Sequence, residues 1–312
     1  MKLIKLVIAL ALIQWSVASC EREADLEPTP ELEGVYGDPT LPQGNHDYDT
    51  RIVAMFKTYK TMFLYKYLPH DLYWNVTQWK GGTYDPVRDT TYQANGNYED
   101  NGYFDTPADE NYVGQQLNML DDIWLDFYPD KYLIQCLPHK VYLLDSLYRS
   151  MAKKGTPNRN VILAYSGGDF IAATWGGARI LQMTPAEKIA LKNAVNTIFM
   201  GFATRRGGAV TPGTFRIVSN YQTTTIPYNE NGFLNNNINN EGSDWTSYLN
   251  AIVTTPYSKM IAIDGSATGG PGILHPDFDT KGLIQRKYDI VIDFFKTVHG
   301  FDLQAVGNAT FE

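Results

Sequence analysis

The sequence of 312 residues predicts an α+β fold for the main part of the chain. Residues 51–79 and 160–177 are rich in aromatic and β-branched side chains, which favour strands. Residues 107–128, the segment after Thr184 and residues 283–299 instead repeat apolar residues at helical spacing. Strand and helix patterns therefore share one region, which suits one large α+β domain or two small ones.

The N-terminus has the pattern of a bacterial export signal. Lys2 and Lys5 precede an apolar run, Leu6 to Ile13, that is too short to span a bilayer comfortably. The sequence Val17-Ala18-Ser19-Cys20 is similar to a lipobox, in which small residues admit the signal peptidase and the cysteine receives lipid. We expect residues 1–19 to be a lipoprotein signal peptide and Cys20 to anchor the mature chain in the outer membrane. An uncleaved anchor and a plain secretory signal are the alternatives.

Residues 20–49 predict a flexible tether. The stretch from Glu21 to Glu27 is acidic and is followed by Pro28 and Pro30, a composition typical of disordered linkers. It resembles the acidic signals that carry Bacteroidetes lipoproteins to the cell surface. A solvated linker is the alternative, and both can hold at once. The folded domain is then expected over residues 50–312.

Charge and cysteine content exclude several classes of protein. The net charge of −8 argues against nucleic acid and anionic membrane surfaces as partners. The chain has two cysteines, and if Cys20 carries lipid then Cys136 is left alone, so no disulfide framework is predicted.

The first half of the domain predicts strands, a polar insertion and a helix. Residues 51–79 are predicted as strands, and residues 80–106, rich in Gly, Asn, Asp and Tyr, as a long polar insertion or loop. A helix is predicted to open at Thr106-Pro107 and to run to residue 128. Its apolar stripe consists of Val113, Leu117, Leu120, Trp124 and Phe127.

The second half predicts strands and then two helices. Residues 131–150 suggest two short strands broken at Pro138, and residues 160–177 a hairpin around Gly167-Gly168. Thr184-Pro185-Ala186-Glu187 is a capping box that begins a helix ending at Gly207-Gly208. Loops are predicted at 219–244 and 264–282, and a last helix from Leu283 to His299, ended by Gly300.

The order of these elements over residues 50–306 resembles the zinc-binding metallopeptidase lipoproteins of Bacteroidetes, often encoded beside SusC/SusD-type outer-membrane transporters. Three segments carry the resemblance, namely "QQLNMLDDIWLDFYPDKYLIQCLPHKVYLLDS", "GSDWTSYLNAIVTT" and "IQRKYDIVIDFFKTVHGFDLQAV". The resemblance implies a zincin-like metallopeptidase fold with a mixed sheet. In that family the helix that follows the capping box carries HExxH and a further His, which bind zinc while the Glu activates water.

This chain departs from the family at every position of that site, so the helix is predicted to be a relic active-site helix. The two His positions, the Glu position and the further His position hold Met200, Thr204, Gly201 and Gly207. The position of the supporting acidic residue downstream holds Ser247. Thioether and neutral hydroxyl groups are poor zinc ligands, and Arg205 and Arg206 would repel a cation. We expect no metal, no cofactor and no catalysis, which describes a pseudopeptidase. Alternatively, no peptidase ancestor is involved and Met200 is core filling.

Other residues give little support for catalysis. The five histidines show no pair at ligand spacing; they are His46, His70, His139, His275 and His299. Asp121-Asp122 are expected on the solvated face of a helix, and Ser166 lacks a nucleophile-elbow frame.

The resulting functional prediction is a lipoprotein that binds rather than cuts, as an accessory subunit of an outer-membrane complex such as a SusC/SusD-type transporter. A peptide could dock along an edge strand at 169–175 ("DFIAATW"), with Phe170, Ala172 and Trp175 as the contact residues. Either a partner or the 219–244 loop would cover that edge. The alternatives are a glycan-binding lipoprotein with stacking aromatic side chains, and a hydrolase with an unrecognised site.

Overall fold

The structure, a computed structural model, describes residues 39–67, 69–72, 82–85, 90–93, 98–153, 159–222, 226–236 and 240–312. The strands are β1 Met62–Leu64, β2 Gly82–Asp85, β3 Thr90–Gln93, β4 Tyr98–Pro107, β5 Lys140–Lys153, β6 Arg159–Val161, β7 Ala164–Ser166 and β8 Phe170–Ala173. The helices are α1 Asp47–Tyr59, α2 Pro69–Leu72, α3 Val113–Ile123, α4 Asp130–Cys136, α5 Pro185–Arg205, α6 Gly213–Arg216, α7 Glu241–Thr254, α8 Tyr257–Met260, α9 Leu283–Phe294 and α10 Gln304–Asn308.

A mixed sheet of six strands is built around β5. The first part of β5 pairs in parallel with β1 and with β8, and β7 is antiparallel to β8. The second part of β5 pairs in antiparallel fashion with β4 and β6. A separate antiparallel pair joins β2 and β3. The predicted combination of helices with a mixed sheet is therefore confirmed.

Helix α5 is the central helix of the core. It packs against α7, against α3 and α4, and against β7 and β8. Side chains on several of its faces are buried, including Leu191, Val195, Phe199 and Met200. Burial of a large apolar side chain contributes about 1.5–3 kcal/mol. The packing of α5 on several sides therefore fixes both its position and its rotation.

The two ends of α5 follow the predicted signals. The Thr184 hydroxyl accepts a hydrogen bond from the Glu187 N–H at 3.3 Å, and the Glu187 carboxylate accepts one from the Thr184 N–H at 2.8 Å. The helix ends at Arg205, and Gly207 has φ of 77°. The capping box and the glycine stop are both confirmed.

The C-terminal segment also agrees with its prediction. Helix α9 continues into a π-helical turn, Phe295–His299, and Gly300 follows with φ of 78°. The left-handed conformation at Gly300 suits glycine, which has no Cβ to clash.

The prediction of strands over residues 51–79 is wrong for most of the part that the structure describes. Residues 47–59 form α1, and only Met62–Leu64 is a strand. Ile52 and Met55 lie three residues apart on the buried side of α1. The aromatic and β-branched composition favours a strand. The helical spacing of Ile52 and Met55 and the N-terminal capping box instead stabilise a helix.

Two further predicted boundaries are corrected. The described parts of 80–106 contain β2, β3 and most of β4, because polar residues can form strands when the neighbouring backbone supplies hydrogen bonds. The helix predicted at Thr106 begins instead at Val113, since the N–H groups of Ala108 and Asp109 bind the carbonyls of Leu143 and Gly176.

The segment 131–150 also differs from its prediction. Residues 130–136 form α4 rather than a strand, and β5 runs without a break from Lys140 to Lys153. Tyr132, Leu133 and Cys136 lie on one buried face of α4. Pro138 therefore separates a helix from a strand, not two strands.

The folded unit begins before residue 50. It extends from Thr40 to Glu312. The Gln43 side chain accepts hydrogen bonds from the Tyr65 and Lys66 N–H groups, at 2.9 and 3.2 Å, just beyond the end of β1. Residues 40–49 are therefore part of the fold and not of a tether.

Candidate functional site

The α5 positions that the resemblance predicts as a relic zinc site do not share one environment. Met200 is fully buried in the hydrophobic core, whereas Thr204 is exposed one turn later. The Thr204 hydroxyl donates a hydrogen bond to the Met200 carbonyl oxygen at 2.9 Å. Gly201 is partly exposed, and Arg205 lies within 3.8 Å of the place where a Gly201 Cβ would sit. Met200 thus fills the core, and Thr204 binds its own helix.

The turn after α5 requires its glycines. Gly207 adopts the left-handed conformation, and Gly208 lies so close to α4 that an added Cβ would come within 2.2 Å of the Cys136 sulfur. The Gly208 N–H donates to the Ala203 carbonyl at 2.8 Å, which closes the helix end. The glycine at 207 therefore has a structural cause in the backbone conformation.

Ser247 lies on α7, and its hydroxyl donates to the Asp244 carbonyl oxygen at 2.7 Å. One turn before it, Asp244 itself is fully buried, as is Lys287 on α9. These two charged residues form an ion pair within the core. The sequence analysis assigned the position of the supporting acidic residue to Ser247, and it did not identify Asp244 or Lys287.

Hydrogen bonds surround the buried ion pair. The Lys287 ammonium donates to Asp244 Oδ2 and to the Gly232 carbonyl, the latter at 3.1 Å. The Tyr221 hydroxyl donates to Asp244 Oδ2 at 2.6 Å, and the Tyr248 hydroxyl donates to the Gly232 carbonyl at 2.9 Å. The pair therefore joins α7 and α9 to the segment that contains Tyr221 and Gly232.

Aromatic rings complete the enclosure of the Lys287 ammonium. Its nitrogen lies 4.8 Å from the ring centres of Phe215 and Phe233, and somewhat farther from those of Tyr221 and Tyr248. Such contacts stabilise a desolvated cation. Burial lowers the pKa of Lys287 and raises that of Asp244, while the attraction between the two charges opposes both shifts.

The chemistry open to this ion pair is limited by its enclosure. Both side chains are 0% exposed, so neither group meets solvent. We interpret it as a structural ion pair that fixes α7 against α9. A signal existed in the sequence, because Lys287 occupies the otherwise apolar face of α9 with Ile284, Tyr288 and Val291.

A second polar cluster lies at the start of α1. His46 Nδ1 is 3.3 Å from Asp49 Oδ2, and the buried Asp49 carboxylate accepts hydrogen bonds from the His46 N–H and the Tyr65 hydroxyl. Burial would raise the pKa of Asp49, but these hydrogen bonds hold it below its ordinary value. A surface cavity of about 620 Å³ adjoins the cluster. The arrangement caps α1 and ties it to the residue after β1.

The remaining histidines lie apart from one another where their side chains are described. His275 Nδ1 accepts a hydrogen bond from the Asp277 N–H at 3.1 Å, and His299 lies among aromatic rings, 4.8 Å from that of Tyr132. Within the described ranges, no three His, Cys, Asp or Glu side chains come together as metal ligands would.

The predicted partner-binding edge is wrong. Strand β8 is paired on both sides, with β5 and with β7, so it has no free edge. Phe170, Ala172 and Trp175 are all buried. The hairpin prediction was correct, because β7 and β8 pair with each other. The strand at the edge of the sheet is β7, however, and not the predicted β8. Neither a partner nor the 219–244 loop is needed to cover β8.

Trp175 has a structural role in place of a binding one. It has φ of 78°, which is unusual for a large side chain. Its N–H donates to the Asp145 carbonyl at 3.0 Å, and the Arg179 guanidinium lies 4.3 Å from the centre of its ring. These contacts hold the turn that follows β8.

Cys20, the signal peptide and residues 20–38 of the predicted tether lie outside the described residues. Among the helices that the structure describes, none combines the length and apolar character needed to cross a membrane.

Comparison with known proteins gives one distant structural likeness. No family model matches the chain, and no curated protein matches it. Among solved structures, a protein from Bacteroides caccae described as a "putative zinc-binding metallo-peptidase" is similar, with 12% identity and a TM-score of 0.37. The match covers 62% of this chain and 72% of that one.

Proposed function

We propose that this protein is an outer-membrane lipoprotein with a zincin-like fold and a relic active-site helix, and that it binds a partner without cleaving it. The binding role would be that of an accessory subunit in an outer-membrane complex such as a SusC/SusD-type transporter. Cys20 would carry the lipid anchor, and the partner would be a membrane protein, another lipoprotein or a peptide.

The environment of α5 carries this proposal. At the positions that would hold zinc ligands and a general base, Met200 is enclosed in the core and the Thr204 hydroxyl is bound to its own helix. Gly201 and Gly207 have no side chain beyond hydrogen. Zinc catalysis needs about three protein ligands and an open coordination position. The buried acid on α7, Asp244, is bound to Lys287 and does not face solvent.

The first test measures metal content and proteolysis. We expect the purified protein to retain no stoichiometric zinc after dialysis and to cleave neither casein nor a peptide library, because residues 200, 201, 204 and 207 supply neither ligand nor base. An active zinc peptidase treated identically is the control. About one zinc per chain, or cleavage that a chelator abolishes, would refute the catalytic part of the proposal.

The second test addresses the anchor and the partner. Cys20→Ala should move the protein from the outer-membrane fraction to the soluble fraction, because only the lipid is lost. Affinity purification of the lipidated protein from membranes should yield a stoichiometric outer-membrane partner. If Cys20→Ala stays in the membrane fraction of a strain that lacks that partner, Cys20 is not the lipid anchor. Retention on a glycan array with no protein partner would favour the glycan-binding alternative.

A further inference from the structure

Three elements meet at the C-terminal end of α5. The Gln135 side chain on α4 donates to the Arg206 carbonyl oxygen at 3.4 Å, and Gly208 lies directly against Cys136. The π-helical turn adjoins α4 as well, because the rings of His299 and Tyr132 are 4.8 Å apart. The α4 helix, the C-terminal end of α5 and the π-helical turn therefore pack against one another.

The surface of these three elements carries cations that have no carboxylate partner in the described part of the chain. Lys131, Arg205 and Arg206 make no ion pair there, although ten other ion pairs are present. Arg205 lies over the Phe202 ring at 4.2 Å, which holds its guanidinium in place. Burial lowers the pKa of His299, a backbone hydrogen bond with Gly208 opposes this shift, and the nearby Lys131 ammonium adds to it. Lys131, Arg205 and Arg206 lie on adjoining elements of a chain whose net charge is −8.

Exposed apolar side chains belong to the same three elements. Ile134 on α4 is 50% exposed, Val210 after α5 is 53% exposed and Val298 in the π-helical turn is 59% exposed. Arginine side chains and exposed apolar patches are both features of protein-binding surfaces. The surface is also preorganised, since Gly208 packs against Cys136 and leaves no space for a side chain between α4 and α5.

We propose that this surface, formed by Lys131, Ile134, Arg205, Arg206, Val210 and Val298, is the docking site for an acidic peptide segment of the partner protein that also carries apolar side chains. The inference rests on the proposed binding function and specifies the chemistry of the partner. Carboxylates would pair with the cations, and apolar side chains would cover the exposed valines and isoleucine. A long polyanion fits less well, because the net negative charge of the chain would repel the parts beyond this surface.

The test uses the full lipidated chain in neutral detergent and a fluorescein-labelled peptide rich in Glu and Leu. Binding is measured by fluorescence anisotropy at low and at physiological salt. We expect the peptide to bind, and R205E/R206E to weaken it by about tenfold or more, because each reversal replaces an attraction with a repulsion. I134S/V298S should weaken binding without a change in charge.

The matched control is K259E/R286E, which reverses two other exposed cations that have no ion pair in the described residues. It should leave affinity within about twofold of the wild type. Equal weakening by both double variants would mean that only net charge matters and would overturn the proposal. The proposal would also be overturned if the peptide failed to bind, or if the protein bound anionic vesicles and not the peptide. If R205E/R206E still purifies with its membrane partner, the binding function stands and this docking site is wrong.

Discussion

At the residue scale, the Lys287–Asp244 pair is the most consequential polar feature of the core. Both charges are removed from water, and the cost of that desolvation is offset by the hydrogen bonds to Tyr221 and Gly232 and by the surrounding rings. Removing one partner leaves the other charged and unpaired in the core. The effect of replacing one of these residues on the free energy of unfolding therefore depends on whether the other is present.

Lys287→Met and Asp244→Asn should each lower the free energy of unfolding by about 3–5 kcal/mol. The double variant should cost much less than the sum of the two, because neither charge is then left alone. Urea unfolding followed by circular dichroism measures all three values. As a control, Arg51→Met breaks the partly exposed pair with Asp121 and should cost about 1 kcal/mol or less. Additive effects of Lys287→Met and Asp244→Asn would show that the pair is not a unit.

At the element scale, the beginning of α5 is stabilised locally and its end by tertiary contacts. Thr184 and Glu187 satisfy two N–H groups at the start of the helix. At the other end, Gly207 and Gly208 turn the chain against α4. The capping box at the start of α5 depends only on nearby residues, whereas the glycine turn at its end depends on the position of α4.

Thr184→Ala should lower the free energy of unfolding by about 1 kcal/mol through loss of the N-cap. Thr204→Ala on the same helix should be close to neutral, because its exposed hydroxyl binds only the helix's own Met200 carbonyl. Thermal or urea unfolding of the two variants, measured side by side, makes the comparison. A larger loss for Thr204→Ala than for Thr184→Ala would indicate that Thr204 has an additional contact.

At the scale of the whole molecule, we expect partly buried tyrosines and the buried Cys136 to influence stability in alkaline solution. Burial raises the pKa of Tyr48 and of Tyr59 to about 12, with help from nearby carboxylates, and burial raises the pKa of Cys136 to about 11. Each of these groups stays protonated in the folded state at a pH where the unfolded chain would release its proton. Their contribution to stability is complete below their ordinary pKa values and is lost as the pH rises through the folded ones.

Lys192 acts in the opposite direction. Its ammonium is buried against the carbonyls of Val253 and Val306, at 3.2 and 2.6 Å, and burial lowers its pKa to about 8. The unfolded chain binds this proton more tightly, so Lys192 makes stability rise with pH above about 8, up to its ordinary pKa.

We expect a shallow dependence of stability on pH between about 8 and 10, where the contribution of Lys192 is opposed first by the Cys136 thiol and then by the phenols, and a steep loss above about 10. Absorbance of tyrosinate and circular dichroism, followed together during an alkaline titration, should change in one cooperative step. Lys192→Met should remove the opposing contribution, so its stability should begin to fall at lower pH. Tyrosine ionisation that is complete before any loss of structure would contradict this account.

The sequence by itself determined the features that depend on near neighbours along the chain. The capping box at Thr184, the glycine stops at Gly207 and Gly300, and the β7–β8 hairpin could all be predicted, because each is decided by a few consecutive residues. The residue types at positions 200, 201, 204 and 207 could also be read from the sequence, and their inability to form a zinc site stays a prediction that the metal analysis tests.

Only the tertiary structure decided which surfaces are free and which charges meet. The apolar composition of β8 could not show that β7 would cover its edge, because strand order depends on contacts with β5. Lys287 and Asp244 are separated by 43 positions in sequence, so their pairing follows from the packing of α7 against α9. The same holds for the end of α5, where α4 and the turn after α5 approach closely because Gly208 has no side chain.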